Sequence, residues 1–239
     1  MISVVRAGCS AVGLDLTHAF STATYNALVD EGDLDSSFRL PDFGRDNALA
    51  LLVANTRAFW PAFTLAMRSD PALAAHPDPV DHYVEQRVTS LAASLPAATE
   101  TRFSPELPPN RIAFQRLAHV TGFAWLSPAH LCIHPTFGPW ISLRAVIVID
   151  AQGPIEPDEP AVRPAVCGCE NACSPMLAEA IAATADKPLV LSTIVETWTH
   201  WLAVRDACPV GREHRFSDRQ IRYHYTRDRA MLPVAPPLG

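Results

Sequence analysis

The sequence predicts an α+β fold in which a mostly antiparallel sheet is flanked by helices. Apolar runs of strand length recur between residues 14 and 150. They are mixed with helical stretches but do not alternate with them regularly, as the units of a parallel sheet would. Helical stretches gather at the C-terminal end. With 239 residues, 49% of them apolar, the chain can bury a sizeable core, and residues 1–239 read as a single domain.

Residues 2–12 are apolar and read as a first helix. "LDLTHAF" (14–20) alternates apolar and polar residues, as a half-buried strand does. "ATYNALV" (23–29) is expected to pair with it as a second strand. After the polar loop "DEGDLDSS", "NALALLVANT" (47–56) reads as a central strand. "RAFWPAFTLAMRS" (57–69) reads as a helix, with Pro61 tolerable near its first turn. The next helix has a clear start. Asp78 is a good N-cap, Pro79 takes the first helical position, and Asp81 places a carboxylate in the first turn. Val80, Tyr83, Val84, Val88 and Leu91 form its apolar stripe.

"ATETRFS" (98–104) reads as a strand, "RIAFQRLAHVTG" (111–122) as a helix ended by Gly122, and "FAWLS" (123–127) as a strand. Residues 131–134 and 141–150 are strands joined by the turn "PTFGP". The proline-rich stretch 153–165 favours extended backbone and is expected to cross the surface of the domain. A C-terminal helical segment follows: 174–185 with Ser174 as cap, 193–207, and a helix opened by a Ser217–Gln220 capping box.

The net charge of −6 argues against nonspecific nucleic-acid binding. No run of 18 apolar residues occurs, so no transmembrane helix is expected. The N-terminus lacks a basic region and a cleavage site, which points to the cytoplasm. The charge is uneven: residues 201–239 hold seven Arg against four acidic residues. Lys187 is the only lysine. Arginine suits planar, bidentate capture of carboxylate or phosphate, which suggests a small anionic ligand near the C-terminal segment. GC-rich codon usage would give the same bias. Arg144 stands out within a core-like strand. An unpaired buried charge costs several kcal/mol, so Arg144 either leans out to solvent or meets an anion.

The six cysteines are Cys9, Cys132, Cys167, Cys169, Cys173 and Cys208, expected as thiols. In "VCGCENACSP", Cys169-x3-Cys173 has one spacing of an iron–sulfur motif, but Cys167-x-Cys169 is too tight for the others and for the usual zinc pair. Free or redox-active thiols are therefore expected, with a metal or cluster on Cys167, Cys169, Cys173 and Cys208 as the alternative. Alternation along a strand would place His130, Cys132 and His134 on one face, yet prolines bracket them and no carboxylate is adjacent. His76, Asp78, Asp81 and His82 gather at a helix start whose capping explains both aspartates. No catalytic triad order, phosphate loop or dinucleotide fingerprint is visible, and no catalytic residue is singled out.

Five pieces, in order, resemble one family: "YN" at 25–26, "DPVD" at 78–81, "AHVTG" at 118–122, "CIHPTFGPWISLR" at 132–144 and "WLAVRDA" at 201–207. Together they resemble the CblC-type cobalamin-processing family of cyanocobalamin reductases and alkylcobalamin dealkylases. The resemblance is distant but collinear, and its longest block is specific. It implies a nitroreductase-like topology and cobalamin bound with its lower base detached. Reduced flavin, FMN or FAD, would drive decyanation, and glutathione or another small thiol would drive dealkylation. A cobalamin-delivery or cobalamin-dependent enzyme is an implied partner.

Carried over by position, the implied corrin contacts are Ser104, Ile112, Ala113, Phe114, Gln115, Leu126, Ser127, Cys132 and Leu143. The implied glutathione contacts are Arg144, Arg205 and Arg229. Two departures stand out. Pro139 replaces the second glycine of the family's F-G-G-W, and "FAWLS" replaces a tyrosine run. His119 lacks the upstream aspartate of a cobalt-ligand motif, since Leu117 stands there. The alternatives are a carrier without turnover, or a corrinoid iron–sulfur reductase related to epoxyqueuosine reductase, whose ferredoxin segment "CGCENAC" resembles.

Overall fold

The apolar run at 47–56 forms β2, Ala48–Asn55, and every residue of it is buried. Its neighbours are β1, Leu16–Ser21, and the long β6, Ser142–Gln152; β3, Thr99–Phe103, closes the far edge. The order is β1-β2-β6-β3, and every pair is antiparallel. A separate two-stranded ribbon joins β4, Trp125–Leu126, to β5, Cys132–Ile133. The computed structural model describes residues 1–154, 158–188 and 190–233. Among them, no helix is long and apolar enough to cross a membrane.

The pleat sorts the sheet residues into two cores. Leu49, Leu51, Val53, Ala145, Ile147 and Ile149 pack with helices α1 (Ile2–Ala11), α3 (Phe59–Ser69), α4 (Pro71–Ala75) and α5 (Pro79–Ala93). Ala50, Leu52, Val146 and Val148 pack on the other side with Tyr25, Phe114 and Leu117. Those three belong to α2 (Thr22–Asp30) and α6 (Phe114–Val120). The remaining helices are α7 (Cys173–Ala182), α8 (Leu191–Ala207) and α9 (Asp218–Thr226). They build smaller clusters, one around the cysteines and one around Trp140, Phe216 and Ile221.

Residues 23–29 are not a strand. They form α2, because Ser21 caps it by accepting from the Ala23 N–H at 3.3 Å. "YN" therefore lies within a helix. Tyr25 and Asn26 are buried there, and Asn26 exchanges two hydrogen bonds with the backbone of Leu40. The expected helix at 111–122 is shorter, with Ile112 and Ala113 preceding α6. The strands expected at 123–127 and 131–134 shrink to two residues each. Cys173, not Ser174, opens α7. Part of the proline-rich crossing, 155–157, lies outside the described residues. Beyond it, Asp158 accepts from Ser21 and Thr24, and the Ala161 N–H bonds the His119 carbonyl at 2.7 Å.

The register between β2 and β6 shifts at both ends, between Ala48 and Leu49 and between Val53 and Ala54. Val53 faces Ala145, but Ala54 faces Leu143. Arg144 is thus the extra residue of a bulge. Its carbonyl accepts from the Ser104 N–H, and its side chain is turned in among α3 and α5.

Leu52 lies fully buried in the central strand. Leu52→Ala is expected to cost about 2–5 kcal/mol in urea denaturation. A loss below about 1 kcal/mol would show that this layer collapses around the gap.

Candidate functional site

Two loops meet backbone to backbone beside the β5–β6 connection. Gly138 and Gly211 both have positive φ, at 57° and 66°. A Cβ on Gly138 would stand 1.9 Å from the Val210 carbonyl oxygen, and one on Gly211 would stand 2.4 Å from the Phe137 carbonyl carbon. Only glycine permits this approach. It locks the "PTFGPW" loop against the end of α8 and brings Arg205 over the Trp140 ring at 4.7 Å. The Arg205 guanidinium also donates to the Pro139 carbonyl. Proline at 139 has no N–H to offer a ligand, yet its carbonyl anchors this arginine.

Beside that junction lies a groove of about 320 Å³, lined by Phe114, Gln115, Leu131, Cys132, Pro139, Ile141, Leu143 and Arg205. Four of the nine expected corrin contacts meet here: Phe114, Gln115, Cys132 and Leu143. The others stand behind or apart from it. Ile112 is in the core, and the Ala113 N–H bonds the Tyr25 hydroxyl. Leu126 pairs with Cys132 in the ribbon. Ser127 is buried in the hairpin turn, where its hydroxyl accepts from Leu131. Ser104 is at the end of β3, beside Arg144. Leu131, Pro139 and Ile141 were missed because their apolar types carry no chemical signal.

Leu131 is shared with a second, apolar groove of about 480 Å³, which Leu177, Ile181, Ile194, Trp201, Val204 and Tyr225 also line. Gln115 ties the two by donating to the His130 carbonyl at 2.8 Å. Burial pushes the Cys132 thiol up to about 12, so it stays protonated at neutral pH.

Arg144 neither leans out to solvent nor enters the groove. It is buried, donates to Asn55 Oδ1 at 2.7 Å and lies over the Phe59 ring at 5.0 Å. Asp81 stands 3.8 Å away. Burial lowers its pKa to about 10, and Asp81 opposes that shift. One guanidinium nitrogen, Nη2, has no partner.

Helix capping does not account for Asp78 as expected. Its side chain makes no cap bond and instead pairs with Arg227 at 3.1 Å, while Asp81 faces both Arg144 and Arg227. Arg229 is turned away, donating to the carbonyls of Ala74, His76 and Pro77. Arg144 and Arg227 share Asp81, and Arg205 acts with them on the charge of His224. Burial, then the charges of these three arginines, hold His224 well below the usual histidine range. Arg227 was missed because its neighbourhood depends on α9 packing against α5.

The face expected to unite His130, Cys132 and His134 does not form. His130 is in the turn with φ 57°, so alternation ends before it. His134 Nδ1 accepts from the Thr136 and Phe137 N–H groups at 3.1 and 3.3 Å. Burial, and then His18 and His214, lower its pKa to about 4. His76 and His82 stack on each other at 4.1 Å.

No family model matches the sequence. The chain is 31% identical over 232 residues to a cyanocobalamin reductase / alkylcobalamin dealkylase of Bos taurus, covering 87% of this chain and 72% of the bovine protein. It is 29% identical over 241 residues to the protein of that name from Homo sapiens, covering 92% and 77%. Its fold resembles that of a C. elegans B12-trafficking protein CblC, at a TM-score of 0.69 and 19% identity, over 100% of this chain and 99% of that one. An epoxyqueuosine reductase from Bacillus subtilis matches at 0.52 and 14% identity, over 90% of this chain and 66% of that one. These likenesses agree with the expected nitroreductase-like fold.

Two variants test the electrostatics. Asp81→Asn leaves Arg144 and Arg227 without a shared anion and should cost about 3 kcal/mol in urea denaturation at pH 7. A cost under about 1 kcal/mol would show that Asn55 and Phe59 suffice. His134 is depressed relative to an unfolded value near ~6.5. Its stabilising contribution is therefore present above that pH and is lost as pH falls through about 4. His134→Asn, whose Oδ1 can accept the same two bonds, should flatten the loss of stability between pH 6.5 and 4. An unchanged acid limb would assign that loss to other groups.

Proposed function

The chain belongs to the family of cyanocobalamin reductases / alkylcobalamin dealkylases, and on that premise we propose that it binds cobalamin and removes its upper axial ligand. The observation that carries this reading is the groove in which Phe114, Gln115, Cys132 and Leu143 meet Arg205. Apolar side chains offer contact to the flat corrin, and one cation waits at its edge. The adjoining apolar groove around Leu131 and Trp201 suits a detached aromatic base. His130 also lines that adjoining groove. A weaker lower donor makes cob(II)alamin easier to reduce, so detachment prepares the substrate.

The family resemblance implies two reactions. In decyanation, reduced FMN or FAD supplies electrons to cobalt and cyanide leaves. In dealkylation, the glutathione thiolate attacks the alkyl carbon. The sulfur–carbon bond forms, the carbon–cobalt pair stays on the metal, and cob(I)alamin remains. The chemistry is the cofactor's, and the chain orients and shields it. Arg205 takes a glutathione carboxylate at the groove, whereas Arg144, the family's second position, is buried outside its lining. Arg229 belongs to the family's set by position, but its guanidinium is held by the carbonyls of Ala74, His76 and Pro77. Cys132 is a wall of the groove and no rival nucleophile, because its thiol stays protonated.

Visible absorption during titration with methylcobalamin, followed by anaerobic glutathione, tests the proposal. The corrin bands should shift to the blue on binding and change again with thiol. Bands that never depart from free methylcobalamin would refute the site; a shift without a thiol response would make the protein a carrier. Arg205→Ala should keep corrin affinity within about threefold and slow the thiol-dependent step about ten- to a hundredfold, as loss of one charged hydrogen bond would. Equal loss of both would assign Arg205 to the corrin or the fold.

A further inference from the structure

A third groove, of about 630 Å³, lies between the starts of α3 and α9, and the proposed function leaves it unused. Arg57, Trp60 and Pro61 line it from the α3 side, and Arg215, Ser217 and Gln220 from the α9 side. Its volume suits a small organic molecule.

Gln220 is fully buried, yet its amide is only half satisfied. Nε2 lies 3.4 Å from Nε2 of His224, and Oε1 has no partner. Turning the amide over would exchange the two atoms and still leave one of them alone. A buried polar atom without a partner calls for an explanation. Gln220 borders the groove, so a polar group on a ligand accounts for it. The charges of the lining are of one sign, since two guanidinium groups border the groove and no carboxylate does. Arg215 is engaged by Asp206 and Asp218 at 2.7 and 2.6 Å. Arg57 is exposed, and among the described residues it donates only to the Glu213 carbonyl, at 2.9 Å, and pairs with no carboxylate. Its charge is free for an anion, and its planar fork matches a phosphate.

We propose that this groove binds a phosphorylated planar heterocycle, the chemistry shared by flavin mononucleotide and adenosine nucleotides. The ring lies along Trp60 and Pro61, a polar group on its edge meets the Gln220 amide, and the phosphate goes to Arg57. The groove is tied to the corrin groove through one side chain. Arg215 of the first and Arg205 of the second both lie against the Trp140 ring, at 5.5 and 4.7 Å from its centre. A flavin held here is therefore placed beside the corrin groove as an electron donor. That use, though not the binding itself, rests on the cobalamin reading.

The test titrates the full chain with FMN, read by its fluorescence, and with AMP, read by equilibrium dialysis. The methylcobalamin absorption titration is run on the same samples. One FMN per chain should bind with its fluorescence quenched, and saturating methylcobalamin should not displace it. Displacement of FMN by AMP would assign the site to nucleotides in general, and its absence would assign the site to flavin. Arg57→Ala should weaken binding at least about tenfold, and Gln220→Leu about three- to tenfold, with the methylcobalamin shift unchanged in both. If Gln220→Leu does not fold, the exposed Arg57→Ala decides alone. Binding of neither ligand, full displacement of FMN by methylcobalamin, or unchanged affinity in Arg57→Ala would each overturn the site. A methylcobalamin shift without FMN or AMP binding would sink this site and leave the cobalamin reading standing, and the reverse result would do the opposite.

Discussion

The buried guanidinium of Arg144 constrains more of this structure than any other single group. A charge in a sheet core costs several kcal/mol unless it is paired and hydrogen-bonded. The bulge in β6 turns it toward the helical layer. Asn55 of β2, the Phe59 ring of α3 and Asp81 of α5 then meet it from three different elements, leaving only Nη2 without a partner. Asp81 is shared with Arg227, so the end of α9 is drawn to the start of α5. A shift of any one element would leave a charge in the interior unpaired, and this sets their mutual positions.

The ligand groove depends on a second constraint, the contact between residues 137–139 and 210–211. Without side chains at Gly138 and Gly211 the two backbones touch, and the C-terminal helices are held against the β5–β6 loop. Arg205 then lies over Trp140 with its charge directed to the groove. A charge so placed on an aromatic face is held at low conformational cost and remains available to an anion. The thiol cluster joins the loop before α7 to the same end of α8, through Cys208.

Much of the framework was legible in the sequence. The buried run of β2, the long β6, α5 with its proline start and α9 with its Ser217 cap follow from periodicity and capping, which are local properties. Residues 23–29 alternate like a strand at Ala23, Tyr25 and Ala27, but the Ser21 cap decided for helix. Four expected corrin contacts share the groove, whereas Ile112, Ala113, Leu126, Ser127 and Ser104 support it or stand apart, since adjacency in a motif does not specify which face a residue presents.

The sequence by itself determined the α+β class, most of the elements and the family, because these rest on local patterns and on a collinear set of motifs. Tertiary structure alone decided which arginines meet. Arg229 turned to the carbonyls at the end of α4, and Arg227 took a place beside Asp81. It also decided that Cys208 would join three cysteines more than 30 positions earlier. Such choices depend on distances between residues far apart in the chain, and those distances exist only once the cores have packed.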